Sequence, residues 1–387
     1  MKNTFENNTL TIFPEGNIDT ANAEAVGKQI ETIRASHPDG QLVLDLDELK
    51  YISSAGLRQI LKLKKKENDL KIINCSSEIY EIFEMTGFSE MMDIQKGYRK
   101  MSVEGCEKIG EGSNGIVYRL NEDTIIKVYK NSDALDDIKR ERELAKKALV
   151  LGINTAIPFD VVRVGDKYGS VFELLSSKSI TKWIISDPDN KDKYIRIFAD
   201  LLKEIHNTTV KDGLLPDARK TAIGWAEWLK GHLPDDTYEK LHSLMEGIPE
   251  TDHMIHGDYH TNNVHYDNDE AILIDMDTLS VGDPILEFAS IFLAYHGYGE
   301  LDHTLVEDFL KLDWDTANYI LDKLVEMYFD DKDEEYRRSV MDKAKVIGYT
   351  RMLGRTIKRT PENTELIEHT RKQLIDYVAK TDSLKIG

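Results

Sequence analysis

The sequence has few cysteines, no long apolar run and a deficit of basic residues. Cys75 and Cys106 are its only cysteines among 387 residues, which excludes a disulfide-stapled fold and a zinc site built on cysteines. The longest apolar run, near residues 289–295, is far shorter than the ~20 residues that a membrane-spanning helix needs. The first ten residues contain no apolar signal core. We therefore expect a cytoplasmic protein that does not act at a membrane.

Acidic residues outnumber basic ones by a wide margin. The chain has 70 Asp and Glu residues against 50 Lys and Arg residues, so its formal net charge is −20. A surface of this charge repels phosphate backbones and anionic lipid. We expect no nucleic-acid partner. Because 41% of the residues are hydrophobic, the chain can form real cores, and its length predicts two or three domains.

Two different patterns are joined near residues 97–105. The first part alternates strand-like runs, such as 42–46, with helical spacing, such as Val26, Ile30 and Ile33, which predicts an α/β layer fold with parallel strand pairs. The second part begins with a glycine-containing hairpin and further strands, and it becomes mostly helical after about residue 190. The predicted boundaries are an α/β domain at 1–98, a linker at 99–104, a strand-rich part at 105–175 and a helical part at 176–387.

A glycine run opens the second part. Residues 109–118 read IGEGSNGIVY, which fits the pattern G-x-G-x-x-G-x-V, and a second strand follows at 124–129. A dinucleotide-binding fold would continue from the glycines into a helix, so that interpretation fails. A glycine flap between antiparallel strands suits ATP phosphates, because glycines let backbone N–H groups approach the oxygens; an ordinary hairpin is the alternative. The candidate nucleotide contacts here are Gly110, Gly112, Ser113, Gly115 and Val117.

Lys127 lies inside the apolar second strand of this hairpin. A strand lysine is commonly just exposed, but one at hairpin distance from a glycine flap can place its ammonium group on the phosphates of ATP. Such a lysine needs a carboxylate to orient it. Glu141 on the following charged helix is the favoured partner, and Glu143 is the second choice.

A polar loop at residues 254–263, MIHGDYHTNN, supplies the next candidates. Asp258 and Asn263 have the D-x-x-x-x-N spacing of kinase catalytic loops, so Asp258 can accept a hydroxyl proton and the Asn263 amide oxygen can bind Mg²⁺. A short strand then ends in Asp275, whose carboxylate can chelate Mg²⁺ that bridges nucleotide phosphates. His260 is expected to brace the loop. Turn chemistry alone would also explain these residue types.

The segments HGDYHTNN and LIDMDTLSVGDP resemble the aminoglycoside phosphotransferase/choline kinase group of the protein-kinase-like fold. The resemblance implies a bilobal α+β domain with a helical C-terminal lobe that uses ATP and Mg²⁺, with Asp258 as base, Asn263 and Asp275 as metal ligands and Lys127 as phosphate contact. Protein kinases carry H-R-D, D-F-G and A-P-E; here HGD and DMD stand in the first two places and the third is missing, which favours a small-molecule acceptor. The resemblance also places the adenine-binding hinge at Phe172, Glu173 and Leu175.

Residues 1–96 resemble the STAS domain, the fold of anti-sigma factor antagonists. The specific segments are LDLDELKYISSAGL, GNIDTANA and CSSEIYEIFEMTGF. In that family a phosphorylated serine lies two residues before the glycine, which falls on Ser54. Many members carry Asp just before it, where this chain has Ser53. A serine at a helix start also serves as an ordinary cap, and a helix N-terminus favours a phosphate.

The combined interpretation is a phosphotransferase with a regulatory STAS-like module that can bind a protein partner. The expected acceptor is a small hydroxylated molecule. An acidic C-terminal region favours a cationic amine; its members are Asp283, Glu287, Asp302, Glu307 and Asp308. Two alternatives stay open. The chain can be a protein serine kinase that acts on Ser54 or on a partner STAS domain, or a non-catalytic nucleotide-sensing anti-sigma factor antagonist.

Overall fold

The structure is a computed structural model, and it describes residues 1–112 and 114–386. Ser113, one of the predicted nucleotide contacts, lies outside the described residues. The chain divides into two compact units, one with Met1–Ser102 and Val161–Tyr168 and the other with Val103–Asp160 and Gly169 onward. In the described part of the chain, no helix is both long and apolar enough to cross a membrane.

The first unit is an α/β layer. Its strands are β1 (Lys2–Glu6), β2 (Thr9–Phe13), β3 (Gly16–Ile18), β4 (Gln41–Asp45), β5 (Leu49–Ile52), β6 (Lys71–Cys75), β7 (Asp93–Lys96) and β8 (Arg99–Lys100). Its helices are α1 (Ala23–Ala35), α2 (Ser54–Lys66), α3 (Ser77–Met85) and α4 (Phe88–Met91).

A five-stranded sheet in the order β1-β2-β4-β6-β7 organises this unit. The pairs β2–β4, β4–β6 and β6–β7 are parallel, and β1 adds antiparallel to β2. Alternating strand residues such as Leu10, Ile12, Leu42 and Leu44 are almost fully buried against the apolar faces of the helices. This arrangement confirms the predicted α/β fold.

The second unit contains the remaining elements. After β8 the strands are β9 (Glu107–Glu111), β10 (Gly115–Arg119), β11 (Thr124–Tyr129), β12 (Pro158–Val164), β13 (Lys167–Glu173), β14 (Lys178–Ser179), β15 (Met254–Ile255), β16 (Val264–Asp267), β17 (Glu270–Leu273) and β18 (Ser280–Val281). The helices are α5 (Leu135–Val150), α6 (Ile180–Ser186), α7 (Lys191–Asn207), α8 (Ala218–Trp228), α9 (Asp235–Glu246), α10 (Pro284–Tyr295), α11 (Thr304–Leu310), α12 (Trp314–Tyr328), α13 (Glu334–Arg359) and α14 (Thr364–Lys380). The sheet order assigns β12 to the strand-rich part, although residues 161–164 group with the first unit.

Antiparallel strands and a helical core give the second unit its α+β character. Strands β9, β10, β11 and β13 pair antiparallel, and Lys127 of β11 stands opposite Val117 on one side and Ser170 on the other. Helix α5 buries one face, with Ile138, Glu141 and Leu144 along it. The helices from α6 onward enclose a single large apolar core. The predicted combination of a strand-rich part and a helical part is confirmed.

Several short strands of the first unit were not predicted, and exposure explains three of them. Strand β1 is an edge strand whose five residues are all exposed, and β7 at the opposite edge is exposed at three of its four positions. Without a buried face, neither strand shows the alternation of apolar and polar residues by which strands are found in a sequence. The third, β5, has just two buried residues.

Candidate active site

Lys127 is the centre of a buried polar cluster. Its Nζ lies 3.1 and 3.3 Å from the two carboxylate oxygens of Glu141 and 3.0 Å from Oδ1 of Asp275. Tyr129, two residues further along β11, donates its hydroxyl to the same Glu141. Glu141 was chosen over Glu143 from the sequence, and the structure shows why it is the partner: it lies on the buried face of α5, whereas Glu143 is exposed and pairs with Lys146.

Negative charge exceeds positive charge around this lysine. Burial lowers the pKa of Lys127, but the carboxylates of Asp275 and Glu141 outweigh it and shift the pKa above its usual value. Asp277 follows in a 3-10 turn (Met276–Thr278). Burial, and then the charges of Asp275 and Glu141, raise the pKa of Asp277 to about 7. The cluster therefore has more carboxylates than one ammonium group can neutralise, and it favours a cationic ligand.

Glu287 of α10, a completely buried residue, supports the loop that carries Asp258. The backbone N–H groups of His256 and Gly257 donate to the Glu287 carboxylate at 2.5 and 2.9 Å. Burial raises the pKa of Glu287, but the nearby His206 and His256 and the N–H of Gly257 together outweigh it, and the net shift is downward. Two hydroxyl groups complete the support: Ser290 donates to the Gly257 carbonyl and Thr278 to the His256 carbonyl, both at 2.7 Å. The loop backbone is thus fixed by side chains that sit beneath it.

Gly257 is a position where glycine is required. Its φ is +83°, and a Cβ built there would lie 2.9 Å from the carbonyl oxygen of Thr278. The Asp258 loop and the turn that follows Asp275 therefore approach each other closely at this point. The residue before Asp258 therefore contacts the turn that begins after Asp275.

Asp258 is partly exposed and interacts with His260, whose Nε2 lies 3.6 Å from Oδ2 of Asp258. Burial raises the pKa of Asp258, but the neighbouring His260, with smaller effects of His256 and Arg351, outweighs it and lowers that pKa to about 2. The His260 ring is buried and packs edge-on against Phe309 of α11, with 4.8 Å between ring centroids. His260 therefore contacts both the candidate base and an exposed aromatic residue.

Asn263 connects this loop to the strand that leads to Asp275. Its side-chain Nδ2 donates to the backbone carbonyl of Asp258 at 3.0 Å. The backbone carbonyl of Asn263 accepts from the N–H of Ile274 at 2.9 Å. Asp275 has left-handed backbone angles, φ +65° and ψ +65°. No group of three or more His, Cys, Asp or Glu side chains in residues 1–112 and 114–386 is arranged to hold a metal. A metal at Asp275 and Asn263 would need further oxygen ligands, such as phosphates.

The glycine flap is the turn between β9 and β10. The N–H of Gly112 donates to the Gly115 carbonyl, and Lys130 donates its Nζ to the Gly112 carbonyl, each at 2.9 Å. The backbone of Gly115 passes so close to β11 that a Cβ would lie 2.8 Å from the carbonyl oxygen of Val128, whereas Gly112 faces open space. Gly110 and Val117 stand opposite each other in the two strands.

The predicted hinge residues lie at the end of β13, on the same sheet as Lys127. Phe172 is 8% exposed and pairs with Ile125 of β11. The N–H of Glu173 donates to the Ile157 carbonyl at 3.1 Å, and Leu175 is half-buried. The sheet therefore carries the flap, Lys127 and the predicted hinge together.

Ser54 of the first unit is exposed at the first position of α2. The capping role belongs to its neighbour Ser53, which is 8% exposed and accepts a hydrogen bond from the N–H of Gly56 at 3.3 Å. The capping interpretation therefore applies to Ser53, and the Ser54 hydroxyl is accessible at the helix start.

Most of the acidic residues that favoured a cationic acceptor have partners within the fold. Asp283 caps α10, Glu287 holds the catalytic loop, and Glu307 accepts from the Trp314 N–H. Asp302 accepts from Thr304, and Asp308 is exposed. Sequence analysis grouped Glu287 with this region by charge alone. The roles of Glu287 and Ser290 as supports of the loop are not predictable from the sequence, because nothing near them in the chain indicates which backbone groups they contact.

The fold of the second unit, with the lysine–glutamate pair and the supported aspartate loop in one place, is that of a kinase-like phosphotransferase. Residues 105–319, more than half of the chain, match the model of the phosphotransferase enzyme family, and the chain belongs to this family. Residues 1–101 match the STAS domain. Both predicted resemblances are confirmed.

Relatives that are similar to part of this chain include anti-sigma factor antagonists. The Listeria monocytogenes anti-sigma-B factor antagonist is 28% identical over 91 residues, which cover 22% of this chain and 78% of that protein. The Bordetella bronchiseptica protein BtrV, described as a candidate anti-sigma factor antagonist, is 31% identical over 84 residues, which cover 21% of this chain and 72% of that protein.

Solved structures of aminoglycoside phosphotransferases are also similar to this chain. The gentamicin complex of APH(2″)-IIa is 17% identical, with a TM-score of 0.46, and the likeness covers 79% of this chain and 97% of that one. ADP-bound APH(2″)-Ib is 16% identical, with a TM-score of 0.49, and the likeness covers 77% of this chain and 98% of that one.

Proposed function

We propose that this chain transfers the γ-phosphate of ATP to a hydroxyl group of a small molecule, with Mg²⁺ as the metal. The observation that carries the proposal is the contact of Lys127 with both Glu141 and Asp275, the second of which lies 148 positions further along the chain. Phosphoryl transfer depends on positioned charges more than on covalent chemistry. Membership of the phosphotransferase family supports the same type of reaction.

In this proposal the strand-rich lobe, residues 105–175, binds the nucleotide. Lys127, oriented by Glu141, contacts the phosphates, and the flap glycines allow backbone N–H groups to approach them. Phe172, Glu173 and Leu175 form the adenine site. Asp275 and Asn263 offer the oxygen ligands that Mg²⁺ prefers. When bound, the metal would neutralise phosphate charge and so offset the excess of carboxylates around Lys127.

Asp258, in the helical lobe that begins near residue 176, is the proposed catalytic base. The acceptor oxygen forms a bond to the γ-phosphorus, the bond from that phosphorus to the bridging oxygen breaks, and ADP leaves. The hydroxyl proton passes to the Asp258 carboxylate. Because the pKa of Asp258 is about 2, it is a weak base, and its main contribution is to orient the hydroxyl in line with the phosphorus.

The test measures ADP release by the purified chain with Mg·ATP and a panel of hydroxylated molecules, including aminoglycosides and choline. We expect one or more acceptors to stimulate ADP release. Replacing Asp258 with Asn should lower kcat by about 10²-fold or more, whereas Asp308→Asn, at an exposed carboxylate on α11, should leave it unchanged. If Asp258→Asn has normal turnover, or if Mg·ATP does not bind, the proposal fails.

A second candidate function is phosphorylation of Ser54, in the same chain or in another STAS domain. It is favoured by the accessibility of the Ser54 hydroxyl at a helix start, where a phosphate is stabilised by free N–H groups. In this case residues 1–98 form a regulatory domain, joined by a linker at 99–104, whose affinity for a protein partner changes with the added charge.

Labelled ATP distinguishes this second function. We expect label on the wild-type chain and on Ser36→Ala, which alters another exposed serine, but none on Ser54→Ala. Equal labelling of all three proteins would exclude Ser54 as the acceptor.

A further inference from the structure

Arg351 of α13 lies beside the base of the catalytic loop, and no role has been assigned to it so far. Its Nη1 donates to the hydroxyl of Ser290 at 3.2 Å, and that hydroxyl donates to the Gly257 carbonyl at 2.7 Å. Gly257 directly precedes Asp258. Two hydrogen bonds therefore connect the guanidinium group to the residue next to the proposed base.

The guanidinium group of Arg351 forms no salt bridge within the part of the chain that the structure describes, although its charge acts on Asp258. The chain has 20 more acidic than basic residues, yet among residues 1–112 and 114–386 no carboxylate lies within 4.0 Å of the guanidinium group. Two other arginines of the helical lobe do form ion pairs: Arg219 with Glu250, and Arg196 with Asp330. Ser290 accepts just one of the five N–H donors of Arg351. The remaining N–H donors of this half-buried group are therefore available to an anionic ligand.

Aromatic packing holds Arg351 in place. The guanidinium carbon lies 5.2 Å from the centre of the Trp225 ring of α8, a contact that fixes the plane of the group. Lys358, two helical turns further along α13, lies 4.1 Å above the ring of Trp228. Arg355 stands between them on the same face and is exposed. This face of the lobe is locally positive in a strongly acidic protein.

We propose that Arg351 binds an anionic group, a carboxylate or a phosphate, of the hydroxylated acceptor. This inference rests on the proposed function and gives its acceptor a chemical class. The planar fork of an arginine matches carboxylate and phosphate oxygens in two parallel hydrogen bonds. Held by Trp225 and Ser290, it would bring the acceptor to the catalytic loop. Burial raises the pKa of Asp258, whereas the charges of His260, His256 and Arg351 lower it. A cationic amine at the same place would be repelled.

The test uses four compounds that share a three-carbon skeleton: glycerol, glycerate, glycerol 3-phosphate and 3-amino-1,2-propanediol. The full chain is given Mg·ATP and ADP release is measured; Tm shifts are measured in parallel with a non-hydrolysable ATP analogue. Inorganic phosphate, against chloride at equal ionic strength, serves as a bare anion. We expect kcat/KM to be about 10-fold higher for the two acids, glycerate and glycerol 3-phosphate, than for neutral glycerol and the cationic amine. We also expect phosphate to raise Tm.

Variants assign the effect to one side chain. Arg351→Met should raise the KM for the acids about 10- to 100-fold and remove the Tm shift with phosphate, without changing the KM for ATP. Arg351→Lys, which keeps the charge but loses the fork, should have an intermediate KM. Arg338→Met removes an exposed charge from the same helix and should behave as wild type.

Several results would overturn the inference. These are turnover of the amine in preference to the acids, absence of any response to the acids and to phosphate, or an unchanged KM in a folded Arg351→Met variant. Failure of the proposed function looks different, because the ATP analogue alone would then not raise Tm. A chain that binds the analogue and phosphorylates the amine keeps its proposed function and loses the anionic acceptor.

Discussion

The two halves of the candidate active site are held together in different ways. Around Lys127, charged side chains from β11, α5 and the turn after β17 contact one another directly. Around Asp258, buried side chains such as Glu287 and Ser290 bind the loop backbone and leave the functional carboxylate free of these contacts. A ligand must rearrange the first half, because its charges are already paired with each other. The second half is preorganised.

This difference predicts which substitutions should lower turnover and which should lower stability. Side chains of the Lys127 half contribute charge that a nucleotide and a metal would use, so replacing them should affect turnover more than folding. Side chains beneath the Asp258 loop satisfy buried N–H and carbonyl groups, and leaving such groups unpaired costs about 1–3 kcal/mol each. Substitutions there should affect folding first.

The largest effect is expected for Asp275→Asn. Turnover with Mg·ATP should fall about 10²- to 10³-fold, because a proposed metal ligand and its charge are lost. The free energy of unfolding should change by less than about 1 kcal/mol, because the amide oxygen still accepts from Lys127 and the repulsion of Asp277 decreases. Steady-state kinetics and urea unfolding check the two parts. If the variant were inactive because it is unfolded, the expectation that the Lys127 half affects turnover more than folding would be wrong.

Glu287→Ala is expected to have the largest effect on stability. It leaves the N–H groups of His256 and Gly257 without their acceptor inside the core, which should lower the free energy of unfolding by about 3 kcal/mol or more. Glu287→Gln keeps one acceptor oxygen, so it should lower the free energy of unfolding by a smaller amount. Urea unfolding of the two variants checks the order. Equal stability of Glu287→Ala and wild type would show that the loop does not depend on this carboxylate.

The same carboxylate gives a pH dependence. The folded-state pKa of Glu287 is below its ordinary value of 4.5, so its contribution to stability is complete above that value and is lost as the pH falls below it. Glu287→Gln should therefore show a smaller loss of stability on acidification than wild type. Thermal unfolding across this range measures the difference, and parallel curves for the two proteins would exclude Glu287 as the cause.

The spacing and order of residues indicated candidate residues in both halves, and the reason is physical. Lys127, Asp258, Asn263 and Asp275 each have a local sequence that indicates their chemistry: a glycine flap, a D-x-x-x-x-N loop, a short strand ending in Asp. The supports Glu287, Ser290 and Arg351 lie on ordinary helices, and their roles depend on backbone groups and side chains 30 to 61 positions away. No periodicity encodes such contacts. Exposed edge strands such as β1 were missed for the related reason that nothing is buried along them.

The smallest expected effect separates two glycines that the sequence pattern treats alike. At Gly115 a Cβ would lie 2.8 Å from the Val128 carbonyl oxygen, whereas at Gly112 it would meet open space. Gly115→Ala should therefore destabilise the protein by about 1–2 kcal/mol, because the paired strands must separate, and Gly112→Ala should change stability by less than about 0.5 kcal/mol. Thermal unfolding without nucleotide tests the pair. If Gly112→Ala raises the KM for ATP while its Tm stays unchanged, that glycine serves the nucleotide; equal Tm values for both variants would show that the close approach of β10 to β11 does not constrain position 115.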